Sequence, residues 1–357
     1  MVTETILDTE TPDAGPSRAQ VNSKGLELDP RPLLDSERGR LELQRLEALS
    51  GISILHPDQF DRETVVEVFN GASIKPLEGK VAITAFFEAS TRTRLSFESA
   101  VLRLDGKVLS VPDGRVTGMA KGESLADIGE MFNTYGDVVI MRHPHTTSVD
   151  EILTNLNLPL INAGNGSGQH PTQALLDMYA LLKCRPTLAR EACPVDDRIH
   201  LGIVGTPGSM RAVKSFLGLS LLFVGAIRKI TIVSEMADPV GLDLESQIEN
   251  SPVPIEVTND IQMVLSDLDV IYMNSIALLG DSYRELDGRF KLRADSDLKE
   301  GAVIMHPLAR RDELDTSLDA TAHNMYFAQA AGAVFLRQAV LIAVLGRLGE
   351  LAELNTK

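Results

Sequence analysis

The sequence predicts two α/β domains, each a doubly wound parallel sheet covered by helices on both faces. Three observations predict it. Short runs such as KVAITAFF and RIHLGIVG are continuously apolar, as strands buried on both faces are. They alternate with segments whose apolar residues recur at helical spacing. The alternation occurs twice, in sets separated by RPTLAREACPVDD, which has the proline and charge content of a linker.

The elements follow in order. Met1 to about Arg38 is acidic and lacks an apolar h-region, so a disordered extension of residues 1–38 is expected. KVAITAFF is the first strand. In LSFESAVLRLDG, Phe97, Val101 and Leu104 share one helical face, and Gly106 ends the helix. KVLSVP is a second strand, SLADIGEMFNTYG a second helix, DVVIM a third strand and LPLINAG a fourth. Ser148 and Glu151 have capping-box spacing, so a helix is expected to start there. PTQALLDMYALLK is a long helix. In the second set RIHLGIVG, KITIVS, PIEV, DVIYM and AVIM read as strands. The segment from Met325 to Leu354 reads as helical and is expected to fold back onto the first domain.

Composition narrows the function. The chain has 357 residues, 44% of them apolar, enough for two cores. No run of 18 apolar residues occurs, so no membrane span is expected. A net charge of −16 argues against nucleic acid or an anionic membrane as partner. Any anion site must therefore be a local cluster of basic residues. Cys184 and Cys193 lack metal-type spacing and fit free thiols in a reducing cytoplasm, the alternative being a pair formed elsewhere. No metal or redox cofactor is expected.

In an open α/β sheet, ligands bind beyond the carboxyl ends of the strands. After KVAITAFF comes Glu88-Ala89-Ser90-Thr91-Arg92-Thr93-Arg94 at a helix start, where free N–H groups and positive potential suit a phosphate. An N-cap cluster beside a surface arginine would look the same. The other strand ends favour a site: Arg142-His143-Pro144 follows DVVIM, His170 and Gln173 follow LPLINAG, and His306-Pro307-Leu308-Ala309-Arg310 follows AVIM. GIVGTPGSMR has the glycines of a weak dinucleotide loop, Gly202, Gly205 and Gly208. The acidic residue that should close the next strand is missing, because Glu235 lies too far along. The loop then serves to present Arg211 at a helix start.

FFEASTRTRLSFE, MRHP, HPTQALLD, HPLARRDE and YFAQAAGAVFLRQAVL together resemble the transcarbamoylases, the aspartate/ornithine carbamoyltransferase type, and among them the aspartate carbamoyltransferases most. The resemblance runs in order from about Gly51 to Leu348. It implies a carbamoyl phosphate domain (39–183 plus 324–357) and an acceptor amino-acid domain (184–323). It also implies a homotrimer with active sites shared between subunits. By resemblance, Ser90, Thr91, Arg92 and Thr93 bind phosphate, and Lys121 enters the neighbouring subunit's site. Arg142 and His170 contact carbamoyl phosphate, and Gln173 binds its amide. Arg211 holds the acceptor's carboxylate, and the carbonyls of Pro307 and Leu308 line the reaction centre. The chemistry suits these residues. An amine attacks the carbonyl carbon, phosphate leaves, and Thr93, Arg142 and His170 supply donors where negative charge develops.

The acceptor half departs from the family. Ser275 and Ala277 stand where aspartate carbamoyltransferases carry an arginine and a glutamine. Ala212 replaces a threonine, and Ala309 replaces a proline that follows a cis bond. A lost guanidinium weakens binding of a β-carboxylate. The expected function is therefore carbamoyl transfer to a small amino acid other than aspartate, with a reshaped Pro307–Ala309 loop. One alternative is ordinary aspartate carbamoylation for pyrimidine synthesis, with Arg284 or Arg289 replacing the lost arginine. Another is a non-catalytic regulatory homologue, which need not keep the full carbamoyl phosphate set.

Overall fold

A computed structural model gives the structure of the chain and describes residues 49–62, 64–65, 77–190, 192–274 and 288–346. The expected extension, Ser275, Ala277 and Arg284 lie outside these residues.

The first sheet holds β1 (Val81–Phe86), β2 (Lys107–Val111), β3 (Val138–His143) and β4 (Leu160–Asn165), in the order β2-β1-β3-β4. All its pairings are parallel, with Ala82 opposite both Val108 and Val138. Helices α1 (Thr91–Arg103), α2 (Leu125–Phe132), α3 (Ser148–Leu153) and α4 (Pro171–Cys184) follow these strands in turn. β1, β3 and the edge strand β4 are buried almost throughout, and the other edge strand, β2, is not. This is why KVAITAFF and DVVIM read as unbroken apolar runs. α1 stops before Gly106, where Asp105 takes φ +63° and the Gly106 N–H donates to the Val101 carbonyl at 2.9 Å.

The second sheet holds β5 (Ile199–Val204), β6 (Ile227–Val233), β7 (Ile255–Thr258), β8 (Val270–Met273) and β9 (Val303–Met305), also parallel, in the order β7-β6-β5-β8-β9. α5 (Arg211–Ser220) follows β5, and α6 (Leu242–Glu249) follows β6. α7 (Tyr326–Ala331) and α8 (Ala333–Val344) close the described chain. As expected, α8 returns to the first domain and packs on α1 and α4. Residues 326–344 are long and apolar enough to cross a membrane, yet 72% of the most apolar window is buried inside the protein.

Two local expectations need correction. The helix at Ser148 is not closed by a capping box. Thr147 is its N-cap and its hydroxyl bonds the Glu151 carboxylate at 2.5 Å, while the buried Ser148 hydroxyl donates to the His145 carbonyl at 2.7 Å. The C-terminal helix is divided at Gly332, where an added Cβ would stand 3.1 Å from the Tyr179 ring.

α4 joins the two halves. Apart from Tyr179 and Cys184 it is buried on every side, its polar residues Thr172, Gln173, Asp177 and Lys183 included. It packs on β4 of its own domain and on α5 of the second, and one continuous apolar core runs through both.

Candidate active site

The carboxyl ends of the two sheets face one cleft of about 750 Å³. In the first sheet strand order reverses between β1 and β3, and in the second between β5 and β8. Such switch points open crevices, because neighbouring connections leave in opposite directions. The residues after all four of these strands line the cleft: Ser90 to Thr93 after β1, Arg142 on β3, Ser209 to Ala212 after β5 and Asn274 after β8. Gly166, His170 and Gln173 after β4 and His306, Pro307 and Leu308 after β9 complete it. Within a chain of net charge −16, the described lining holds four arginines (Arg92, Arg142, Arg211 and Arg337) and no carboxylate.

α1 starts at Thr91 with extended Ser90 as N-cap and no side chain bonded to its first N–H groups. Those amides stay available to an anion. Among the described residues the Arg92 guanidinium has no hydrogen bond or ion pair, and burial lowers its pKa. Thr93 is buried in the same turn.

Glu88, which the sequence reading left without a role, organises the cationic side. Its Oε1 accepts from Arg142 Nη2 and Arg211 Nη2, both at 2.7 Å, and its Oε2 accepts from Arg211 Nη1 at 3.0 Å. A first-domain carboxylate thus bridges a first-domain and a second-domain guanidinium. Burial alone would raise its pKa, but the hydrogen bonds and charges of Arg211 and Arg142 outweigh that and hold it below the usual range. Gly164 makes the convergence possible. At φ +114°, its added Cβ would lie 3.2 Å from Arg211 Nε and 3.5 Å from an Arg142 Nη. The one available signal for Glu88 was its place as the only acid in FFEASTRTR, ahead of the hydroxyls and arginines.

His170 is the N-cap residue of α4. Its N–H donates to the Ser215 hydroxyl at 2.8 Å, and that hydroxyl donates to Gln169 Oε1 at 2.5 Å. Burial, then the charges of Arg142, Arg211 and Arg337, depress its pKa well below the ordinary histidine value. It is therefore a neutral imidazole at neutral pH, with one ring nitrogen carrying a hydrogen and the other a lone pair.

The Pro307–Leu308 loop is held by His306. Its Nδ1 accepts from the Leu308 N–H at 2.7 Å, and its Nε2 lies 3.0 Å from Glu313 Oε1. Both ring nitrogens are thus committed to structure. The Leu308–Ala309 peptide is cis without a proline, and Leu308 sits at φ +56°. The reshaping expected from Ala309 is therefore not seen, and Pro307 and Leu308 both face the cleft.

Ten of the twelve sequence-predicted residues gather on this cleft: Ser90, Thr91, Arg92, Thr93, Arg142, His170, Gln173, Arg211, Pro307 and Leu308. Ser275 lies outside the described residues. Lys121 does not line the cleft of its own chain. It is exposed on the turn Gly118–Lys121. Arg289 stacks on Phe290 at 5.7 Å and is not among the lining residues. Arg337 went unnoticed in the sequence because it sits mid-helix in an apolar run. It is buried, lies 4.7 Å from the Phe97 ring, and burial lowers its pKa to about 9, so it stays charged at neutral pH. The glycine loop after β5 holds no nucleotide signature in space. Gly202 lies inside the strand against Leu268, and the loop's role is to start α5 at Arg211.

Comparisons with known proteins agree with this geometry. The family model for the aspartate/ornithine carbamoyltransferase carbamoyl-P binding domain matches residues 56–183, and that for the Asp/Orn binding domain matches 197–344. The aspartate carbamoyltransferase catalytic subunit of Picrophilus torridus is 36% identical over 284 residues, covering 78% of this chain and 89% of the relative. The chloroplastic aspartate carbamoyltransferase of Oryza sativa is 33% identical over 353 residues, covering 90% and 94%. The crystal structure of aspartate transcarbamoylase from Trypanosoma cruzi in complex with carbamoyl phosphate and aspartate superposes with a TM-score of 0.73 at 31% identity. That match covers 84% of this chain and 98% of the other. Two parallel-sheet domains meeting at a cationic cleft, matched by both halves of one enzyme family, place this chain among the carbamoyltransferases, on the aspartate carbamoyltransferase branch of the transcarbamoylase family.

Proposed function

We propose that L-aspartate is the acceptor in the carbamoyl transfer that this family makes from carbamoyl phosphate. The acceptor change expected from Ser275 and Ala277 finds no support among these relatives, aspartate carbamoyltransferases that match 78% and 90% of the chain. The observation that carries the reading is the Glu88 bridge. Arg142 and Arg211 are already spaced to grip a carboxylate between the two domains. An amino acid entering with its own carboxylates meets the same guanidiniums.

Each side chain then has a physical task. The free amides of α1 and the Arg92 guanidinium hold the phosphoryl group. The neutral N–H of His170, together with Arg142, meets the carbonyl oxygen as charge develops on it. Gln173 takes the carbamoyl amide, and the carbonyls of Pro307 and Leu308 accept from the attacking amine. A C–N bond forms, the bond from the carbonyl carbon to the bridging oxygen breaks, the amine's proton passes to the departing phosphate, and the phosphate leaves toward Arg92. Holding both substrates in one cleft supplies the remainder through proximity.

An acceptor panel tests the reading by measuring phosphate release from carbamoyl phosphate. Aspartate is expected to give the fastest turnover, and Arg92→Ala to abolish it while the circular dichroism spectrum stays unchanged. A different best acceptor would overturn the aspartate assignment.

The site is proposed to be completed by Lys121 from a second copy in a trimer. Lys121 is exposed, has no partner among the described residues and stands off its own cleft. Arg92→Ala and Lys121→Ala chains are each expected to be inactive alone. Co-expressed, they should regain activity, because some sites then draw both intact residues from different chains. A mixture no more active than its parents would exclude a shared site.

A further inference from the structure

Beneath the cleft floor lies a carboxylate to which the chemistry above gives no task. Asp177 stands one helical turn after Gln173 on α4, so their side chains meet on one face. Its side chain has no solvent exposure. Its Oδ1 accepts from Gln173 Nε2 at 2.7 Å and from Gln329 Nε2 at 2.5 Å, and its Oδ2 accepts from the Tyr272 hydroxyl at 2.6 Å. The donors come from α4, α7 and β8, hence from both domains. An ionised carboxylate only accepts, so each partner must turn a donor inward. For an amide this fixes the orientation. With Nε2 on Asp177, each glutamine presents its Oε1 elsewhere. Gln329 Oε1 accepts from the His306 N–H at 2.9 Å, at the root of the Pro307–Leu308 loop. Gln173 Oε1 is left for the cleft that this residue lines.

We propose that Asp177 is a positioning residue of the transfer site, locking the Gln173 amide with its oxygen toward the carbamoyl NH₂ and, through Gln329, holding the His306–Leu308 loop. The role rests on carbamoyl phosphate binding in this cleft. An asparagine at 177 removes the charge, leaving both glutamines on a neutral and weaker acceptor, and turns its NH₂ onto the Tyr272 hydroxyl, which must reverse to accept. Both glutamines share Oδ1, which makes that oxygen the common reference for two sides of the substrate.

The same network responds to pH. Burial pushes Asp177 up to about 7, against the opposing hydrogen bonds of Tyr272, Gln329 and Gln173 and the charge of Arg337 on α8. α7 contributes only the Gln329 amide, and α5 contributes the Phe216 ring, stacked 4.2 Å from Tyr272. Protonation of Oδ2 turns it into a donor toward the Tyr272 hydroxyl and leaves both glutamines on a neutral Oδ1, a weaker acceptor than the carboxylate. Binding should therefore weaken as pH falls through about 7.

The test is calorimetric titration of carbamoyl phosphate into the full chain, its Asp177→Asn and Gln173→Ala variants, and the double variant. Asp177→Asn is expected to weaken binding by about 10- to 100-fold in the parent and by less than about threefold once Gln173 is alanine, because the first residue acts through the second. The parent's affinity should rise through about pH 7, and Asp177→Asn should remove that inflection. Tyr272→Phe deletes a donor that favours the ionised form and should move the inflection to higher pH. Thermal unfolding checks the fold. The folded chain holds this proton to a higher pH than the unfolded chain does, so parent stability is lost as pH rises toward about 7. The Tm of Asp177→Asn relative to the parent should rise across that window. Equal losses with and without Gln173, or an inflection that Tyr272→Phe leaves in place, would overturn the positioning role alone. No binding by the parent would overturn the proposed function as well.

Discussion

Arg142→Ala is expected to lower kcat by about 10²- to 10³-fold, the typical loss when one preorganised donor is removed from a developing oxyanion. Arg142 is half-buried at the end of β3, at the switch point of the first sheet. One nitrogen is fixed on Glu88, and its Nε has no protein partner although it is buried. A polar atom left unpaired in that position is costly unless a ligand meets it. The variant should fold, because Glu88 keeps its bidentate pairing with Arg211. Steady-state rates beside a thermal melt check this. A melt close to the parent's with a normal kcat would remove Arg142 from the reaction centre. The neutral His170 cannot compensate, since it supplies one uncharged N–H where Arg142 supplies several charged ones.

Arg211→Ala is expected to separate the two substrates. It should reduce kcat/KM for the amino acid by on the order of 10²-fold, as truncating a desolvated charge partner costs about 2–5 kcal/mol. Carbamoyl phosphate affinity should change far less, because the α1 amides and Arg92 lie on the first domain. Arg211 also carries the link between domains through Glu88 and through the Gly166 carbonyl at 2.8 Å. The variant should therefore fail to hold the cleft closed around both substrates. Calorimetry with carbamoyl phosphate and kinetics with aspartate distinguish the effects. An equal loss for both would mean that Arg211 serves the fold and not the acceptor.

Much of this site was legible in the chain, and the reason is local. Ser90 to Thr93 follow a buried strand and open a helix, so their position at a sheet's carboxyl end follows from two adjacent elements. The same holds for Arg142, His170 and Arg211, each at a strand end or helix start. Glu88 and Arg337 were missed because their roles depend on partners 123 and 241 residues away. Asp177 was missed for a related reason. In PTQALLDMYALLK it reads as the polar member of an amphipathic helix, and only the packing of Tyr272 and Gln329 around it reveals full burial. The acceptor expectation rests on two positions, 275 and 277, and finds no support among the relatives, because binding of an anion depends on every guanidinium in the cleft and not on one place alone.

By itself the sequence determined the two parallel sheets, their helices and the hydroxyl- and arginine-bearing turn after β1, because hydrophobic period and strand-end chemistry are properties of contiguous residues. Only the tertiary structure decided which strand ends share a cleft. Strand order placed β1 beside β3 and β5 beside β8, and α4 packed on α5 brought the two switch points together. Charges scattered through an acidic chain become an anion site only when such long-range packing removes them from water and sets them side by side.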